Sequence, residues 1–362
     1  MERDSTQDSR VIRIAVIPGD GIGNEVVPEG LKVLEYLAAS SGGRVSFTFD
    51  HFPWGCDYYL QHGRMISDDA LEILARYDAI FFGAVGWPSV PDHISLWGLR
   101  LAICQGFDQY VCLRPVHLLP GIASPLREAT RETIDFVVVR ENSEGEYAGV
   151  GGRTGAGRGT EIATQTAVFT EVGCERIVRY AFELAMTRPK RKVTSVTKSN
   201  AQQFGMTLWD DVFRRVAAEY PEVATESWLV DAMAARFVLR PETLDVVVAS
   251  NLFGDILSDL GSALAGSLGV AASANIDPER RKPSMFEPVH GSAPDIAGKG
   301  IANPIGQIWS AALMLEHLGF PEWAAAVVRA IEETTAAGVV TPDLGGRATT
   351  VEVGDAIVRA LG

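Results

Sequence analysis

Asp255 and Asp259 stand four residues apart in the stretch 251–269, Asn-Leu-Phe-Gly-Asp-Ile-Leu-Ser-Asp-Leu-Gly-Ser-Ala-Leu-Ala-Gly-Ser-Leu-Gly. On a helix this spacing puts both carboxylates on one face, about 5–6 Å apart at Cβ. Two like charges so close repel each other. A hard divalent cation with oxygen ligands relieves the repulsion; so does a helix cap at Asp255 with Asp259 left in solvent. Ile256, Leu257, Leu260, Ala263 and Leu264 supply an apolar remainder, so the pair edges a buried helix, which favours the cation. Gly254 reads as the pivot between this helix and the apolar strand at 244–249.

Arg100, Arg114 and Arg140 form a second group. A guanidinium pairs with a carboxylate in a bidentate fork, so several arginines around one cleft make a dicarboxylate clamp. Each taken alone also reads as a surface or structural ion pair. Arg140 closes an apolar strand at 134–140 and precedes a polar turn that runs from Glu141 to Tyr147. In open α/β sheets that position commonly faces the ligand crevice. Lys198 ends another strand at 192–198, where a lysine either sits in a cleft with a shifted pKa or meets solvent. Asp231 follows a short apolar run at 228–230.

The elements that must position these side chains alternate in type. Residues 11–17 read as a strand, and Asn24 reads as the cap of a helix to about residue 39. Between them Pro18-Gly19-Asp20-Gly21-Ile22-Gly23 is one residue short of the dinucleotide fingerprint, and no acidic residue clearly ends a second strand. A strand at 45–52, a helix to residue 76 capped by Ser67 and a buried strand at 78–83 complete the first half and imply a mainly parallel sheet. Residues 149–159 hold six glycines in eleven positions without the ending of a P-loop, so they read as a mobile surface loop. A strand at 165–170 and a helix at 171–186 follow. Residues 274–300 are so rich in Gly and Pro that a regular element is not expected; a binding loop is. Helices at 304–318, 322–337 and 350–361 close the chain.

The chain has 362 residues, 47% of them apolar, enough for one large or two ordinary domains with a sizeable core. Its 32 Lys+Arg against 46 Asp+Glu give a net charge of −14, which argues against nucleic acid and anionic membranes as partners. Cys56, Cys104, Cys112 and Cys174 form no C-x-x-C pair, so neither a zinc site nor a disulfide framework is expected. No apolar run reaches the roughly 18–20 residues of a membrane span. Residues 1–10 read as a polar, disordered tail rather than a signal peptide, and a cytoplasmic protein is expected.

Pro18 to Gly23, Asn251 to Asp259 and Glu287 to Gly300, taken in order, resemble the β-decarboxylating dehydrogenases, the family of isocitrate, 3-isopropylmalate, D-malate and tartrate dehydrogenases. The resemblance covers nearly the whole chain. It implies an α/β fold of isopropylmalate/isocitrate dehydrogenase type, with two domains sharing a large mixed sheet, and not a Rossmann fold. Residues 1–109 and 267–362 would form the larger, cofactor-binding domain. Residues 110–266 would form the smaller one, carrying the dimer interface and the metal carboxylates. Asp92-His93-Ile94-Ser95-Leu96-Trp97-Gly98, Phe107-Asp108-Gln109-Tyr110, Trp54-Gly55, Asp57-Tyr58-Tyr59 and Asn275-Ile276-Asp277-Pro278-Glu279-Arg280-Arg281 look like the branch that acts on tartrate and D-malate.

By the same resemblance Arg114 and Arg140 match the arginines that hold the substrate carboxylates. Tyr147 and Lys198 match the catalytic pair, and Asp231, Asp255 and Asp259 match the ligands of Mn²⁺ or Mg²⁺. Lys198 and Asp231 would enter the site from the other subunit of a homodimer. His290, Asp295 and Asn303 match positions at the adenosine end of NAD; Asp295 would accept from ribose hydroxyls and repel a 2′-phosphate. The family further implies a monovalent cation, K⁺. Isopropylmalate dehydrogenases place a further substrate arginine where this chain has Cys104, and Arg100 lies one helical turn earlier. The expected reaction is oxidation of a small 2-hydroxy dicarboxylic acid followed by loss of its β-carboxylate. The alternatives are a 3-isopropylmalate dehydrogenase, a catalytically silent regulatory subunit, and a metal-free Rossmann dehydrogenase.

Overall fold

The computed structural model describes residues 10–362. The expected tail lies outside the described residues except for Arg10, which opens the first strand. The chain divides into two compact units. One takes the chain up to Phe107, Leu119–Ala123 and Ser267–Gly362; the other takes Asp108–Leu118 and Ser124–Gly266.

In chain order the larger unit begins with β1 (Arg10–Gly19), β2 (Val45–His51) and β3 (Ala79–Ala84). The smaller unit holds β4 (Val111–His117), β5 (Asp135–Glu141), β6 (Gly145–Thr154), β7 (Ile162–Val168), β8 (Lys192–Thr197), β9 (Ala224–Leu229) and β10 (Val246–Ala249). The chain then returns to the larger unit with β11 (Ala272–Ile276) and β12 (Ser284–Pro288).

The larger unit orders its strands β2-β1-β3-β12-β11, all parallel but β11. Its antiparallel member and its strand order set it apart from a Rossmann half. The period of two along β1 and β3 assigns each face a layer. Ala15, Ile17, Ile80 and Phe82 join Trp54, Leu74, Leu99 and Ile103 in one buried cluster. Phe81 points the other way, onto the helix Gly23–Ser40, where Gly30 admits it; a Cβ at residue 30 would lie 2.5 Å from the ring. The helices Ile305–His317, Pro321–Ala336 and Thr350–Ala360 complete that second layer, close to the expected positions.

The smaller unit orders its strands β4-β5-β10-β8-β9, with β4 antiparallel to β5 and the rest parallel. The register pairs Arg114 with Val138 and Cys112 with Arg140, so Arg114 and Arg140 project from the same face. The helix Asn251–Leu264 lies on β5 and β4. Gly261 lets it approach, since a Cβ there would be 2.7 Å from Val116.

Several local expectations are corrected. Residues 149–159 are not a loop throughout: β6 pairs antiparallel with β7, and the glycines up to 152 sit inside that ribbon. At Gly151 a Cβ would stand 2.3 Å from the Thr164 carbonyl oxygen, so its glycine serves a close strand contact. Residues 272–288 are a hairpin, β11 against β12 with a turn at 277–283, despite Pro278, Pro283 and Pro288; beyond that turn only the part after Pro288 is loop. Ser67 does not cap with its side chain, its carbonyl accepting from Ala70, and the helix is only Ala70–Leu74. Asn24 lies within the helix, and its amide donates back to the carbonyls of Gly19 and Gly21.

Candidate active site

The helix Asn251–Leu264 begins directly after β10, with Ser250 at its cap position. Gly254 is therefore one turn inside the helix, not the pivot. Its function is proximity: a Cβ would lie 2.6 Å from Arg140 Cβ. Asp255 does not cap the helix either. Phe253, Leu257 and Leu264 are buried, whereas Ile256, expected among the apolar positions, is 58% exposed. The carboxylates lie between these two faces.

Asp255 is a junction. Its Oδ1 accepts from Arg140 Nη1 and, at 3.3 Å, from Arg114 Nη1; its Oδ2 accepts from the Tyr147 hydroxyl at 3.1 Å. Arg114 Nη1 also donates to Ser258 Oγ at 2.6 Å and lies 3.7 Å from Asp259 Oδ1. The Arg140 guanidinium stands 5.3 Å from the Tyr147 ring centre. Both arginines are buried while the two carboxylates are partly open. Burial raises the pKa of Asp259 above its usual value; Arg114 opposes that shift and Asp255 adds to it.

Lys198 and Asp231 form a second group in the same unit. Lys198 follows β8 and Asp231 follows β9, strands that pair in parallel with Thr197 opposite Leu229. Asp231 lies in the first turn of the helix Val230–Leu239, where the helix dipole favours a carboxylate. Lys198 Nζ donates to its Oδ1 at 2.5 Å, and this bond holds the carboxyl below its usual pKa. Among the described residues of one chain, no three acidic, histidine or cysteine side chains form a metal-binding cluster. Asp231 thus stands apart from the Asp255–Asp259 pair.

The third group lies in the larger unit. Asp20 fastens the glycine loop by accepting from the backbone N–H of Cys56 at 2.7 Å and of Gly86 at 2.8 Å. Glu25 accepts from Gly298 N and Gly300 N, tying that loop to the one after Pro288. Ile22, Val26 and Ala302 make an apolar wall with Ala293, Ile296 and Ala297. His290 Nδ1 contacts the Gly291 carbonyl, and its Nε2 is buried without a partner among the described residues. Burial lowers its pKa, so the ring is neutral at neutral pH. Asn303 accepts from Ile305 N and donates to Asp343 at 3.0 Å, while Asp295 is exposed.

Arg100 is also in the larger unit. Its Nε donates to Glu287 Oε1 at 2.7 Å and its Nη2 to Asn275 Oδ1 at 3.0 Å. The structure thus gathers Arg114, Arg140, Tyr147, Asp255 and Asp259 in one cluster and Lys198 with Asp231 in another. His290, Asp295, Asn303 and Arg100 fall in the other unit.

Two residues of the first cluster were not singled out from sequence. Asn251 Oδ1 accepts from both Nε (2.9 Å) and Nη2 (2.6 Å) of Arg140, and Ser258 accepts from Arg114. They are four residues before and three after Asp255, so the face that carries the carboxylates would have named them.

The isocitrate/isopropylmalate dehydrogenase family pattern matches residues 13–357. A "Probable tartrate dehydrogenase/decarboxylase" of Agrobacterium vitis is 58% identical over 352 residues, covering 97% of this chain and 98% of its own. The D-malate dehydrogenase [decarboxylating] of Escherichia coli (strain K12) is 54% identical over 359 residues, covering 97% of this chain and 99% of its own. The crystal structure of isocitrate dehydrogenase from Methylococcus capsulatus superposes with a TM-score of 0.86 at 36% identity, over 97% of this chain and 99% of that one. With its motifs, its fold and nearly its whole length in agreement, the chain belongs to the isocitrate/isopropylmalate dehydrogenase family.

Proposed function

We propose that this enzyme is a decarboxylating dehydrogenase that uses NAD and a divalent metal to oxidise a small 2-hydroxy dicarboxylic acid, D-malate, tartrate or both. The observation that carries this reading is the convergence of Arg114, Arg140 and Tyr147 on Asp255. Two buried guanidinium groups beside a hydroxyl donor fit a doubly anionic, hydroxylated substrate. The names of the relatives, at 54–58% identity, point to the same substrates.

The donor set fits Mn²⁺ or Mg²⁺: Asp231, Asp255 and Asp259 offer only hard carboxylate oxygens. In one chain Asp231 does not join the other two. This supports a homodimer in which Lys198 and Asp231 of one subunit complete the site of the other. The orphaned Nε2 of His290, the apolar wall at Ile22 and the exposed Asp295 fit the adenosine end of NAD in the larger unit. Asn303 stands in the same loop region, and K⁺ is a further expected ion.

A divalent cation at the carboxylates would supply charge stabilisation at the substrate hydroxyl and the adjoining carboxylate. NAD, held by His290, Asp295 and Asn303, would supply the hydride acceptor for oxidation at C2 of the substrate. Arg114 and Arg140 orient the substrate by its carboxylates. Lys198 takes the hydroxyl proton. The β-carboxylate leaves as CO₂, and Tyr147 delivers a proton to the carbon it leaves. Arg100, linked to Glu287, would extend the substrate contacts.

No described helix is long and apolar enough to cross a membrane; residence in the cytoplasm is part of the proposal. The test is NADH formation from D-malate, L-tartrate, meso-tartrate and 3-isopropylmalate, each with Mn²⁺ and with excess chelator. Metal-dependent turnover of D-malate or a tartrate, with isopropylmalate poor, is the expected result. Preference for isopropylmalate, or turnover that survives the chelator, overturns it.

A further inference from the structure

The segment Asn275 to Arg281 has a distinctive sequence that the proposed reaction does not use, apart from the contact of Asn275 with Arg100. The turn it runs into, residues 277–283 between β11 and β12, forms one wall of a cavity of about 300 Å³ in the larger unit. The other walls are Arg10 at the start of β1, Tyr77 and Asp78 just before β3, and His317 at the end of its helix. These positions lie where β1, β3 and β12 begin. The glycine loop lies beyond the far end of β1, ten residues away along the strand and roughly 30 Å at about 3.3 Å per residue. The cavity is therefore distinct from the candidate cofactor loops.

Its charge runs against the rest of the protein. Arg10, Arg280, Arg281 and Lys282 line it against one lining carboxylate, Asp78, in a chain of net charge −14. Asp78 is already engaged by the backbone N–H of Arg13 at 2.7 Å. Arg281 is bound to Asp277 and Glu279, each at 3.2 Å. Arg280 and Lys282 make no ion pair with a described residue, and the Arg10 guanidinium rests 4.9 Å over the Phe320 ring. Arg280 holds φ at +55°, a conformation rarely adopted by a side chain of its type. The His317 ring packs 5.6 Å from Phe286, and its nitrogens have no protein partner among the described residues.

We propose that this cavity binds a small phosphate-class anion, held by Arg280, Lys282 and Arg10 with His317 as a hydrogen-bonding wall. Guanidinium forks and an ammonium group suit phosphoryl oxygens, and three cations without a carboxylate partner among the described residues call for two or more negative charges. The volume lies at the small end of ligand pockets, so it excludes a polymer, and the overall negative charge disfavours extended polyanions. Inorganic phosphate, pyrophosphate and the phosphoryl group of a small metabolite share this chemistry.

The test is calorimetric titration of the full-length protein with inorganic phosphate, pyrophosphate and AMP at fixed ionic strength. Wild type is compared with the double variant Arg280→Gln/Lys282→Gln. The expected result is that at least one of the three binds to wild type and about tenfold more weakly (about 1.4 kcal/mol) to the double variant, with NAD⁺ affinity unchanged. Preference for phosphate or pyrophosphate assigns a free inorganic anion; preference for AMP assigns a phosphorylated metabolite. Equal binding to both proteins, or none to wild type at millimolar concentration, overturns the proposal.

A second measurement needs no variant of the cationic residues. Burial and then Arg280 push the pKa of His317 down to about 4, with Asp277 opposing; Arg10, Lys282 and Asp78 also face the cavity. A bound anion must draw the imidazole pKa upward. NMR titration of the His317 ring, assigned through His317→Gln, reads that rise in the wild-type protein. A His317 titration unmoved by saturating pyrophosphate refutes a site for that anion.

Discussion

Replacing Asn251 with alanine deletes the side chain that holds Arg140 in place. Asn251 Oδ1 accepts from Arg140 Nε at 2.9 Å and Nη2 at 2.6 Å, and its amide donates to the Glu144 carbonyl at 3.2 Å. Arg140 is 2% exposed, so the freed N–H groups have little access to water. Hydrogen bonds to charged groups contribute about 1.5–3 kcal/mol each, so two amount to roughly 3–6 kcal/mol. The better helix propensity of alanine returns about 0.5 kcal/mol. Water entering the small space left behind recovers part of the rest, leaving a loss of roughly 2–4 kcal/mol. At 2–4 °C per kcal/mol for a unit of this size, Tm should fall by roughly 5–15 °C in scanning calorimetry. The KM for the hydroxy acid should rise with it, because the Arg140 fork loses its orientation, while NAD⁺ affinity should not change. A variant that melts within about 2 °C of wild type with unchanged KM refutes the reasoning. Asp255 alone would then suffice to position Arg140.

Lys198→Ala and Tyr147→Phe should each lower kcat by roughly 10²–10⁴-fold without weakening NAD⁺ binding, measured by steady-state kinetics and fluorescence titration. Wild-type turnover in either removes that residue from proton transfer. If the sites are shared across a dimer, inactive Lys198→Ala and Asp255→Asn proteins, denatured together and refolded, should regain about one quarter of wild-type activity, because half the dimers carry one intact site. No recovery would place the whole site in one subunit. The Asp135 carboxyl is held well below its usual 3.8, first by its hydrogen bond with His117 and then by Arg188. A depressed acid contributes stability above its unfolded pKa and loses it as pH falls through the folded one. Urea unfolding of wild type should therefore weaken more steeply below about pH 4 than that of Asp135→Asn, and equal slopes would contradict the pairing. Burial pushes the thiols of Cys56 and Cys174 up to about 12, so neither should react with a thiol reagent near neutral pH until the protein is denatured. Rapid labelling of either in the folded enzyme would show that its burial is transient.

The elements that were legible from sequence are those whose side-chain period is set by a nearby core. Ala15 and Ile17 alternate with Ile14 and Val16 to serve two layers, and the closing helices fall within a residue or two of their apolar pattern. The misread elements are those in which a distant partner overrides local preference. Gly151 and Gly152 discourage a strand by themselves, yet β7 pairs with them and requires a bare backbone at one contact. The turn-forming residues of the β11–β12 hairpin, Asp277, Pro278 and Pro283 among them, fall in the turn at 277–283, and β12 is anchored by its parallel pairing with β3. Ser67 and Asn24 have the chemistry of caps, but neither side chain caps its helix.

The candidate site divides along the same line. The type and spacing of Asp255 and Asp259 are properties of one helical turn, so sequence alone presents them as a pair. What makes Asp255 a junction is the register of β4 against β5, which brings Arg114 and Arg140 to one face, together with Gly254, which lets the helix close on Arg140. Arg140 lies 115 residues from Asp255 and 111 from Asn251, so no local pattern announces the contacts. Arg100 shows the converse. Its charge was legible and suggested a substrate ligand, but its contacts with Glu287 and Asn275 lie 187 and 175 residues away. A buried guanidinium must be paired wherever it lies, and the partner decides whether it serves catalysis or the scaffold. For Arg114 and Arg140 the partners are half-open carboxylates, which substrate or metal can reach. For Arg100 the carboxylate partner is itself buried, so its proposed substrate contact requires that substrate draw it away from Glu287.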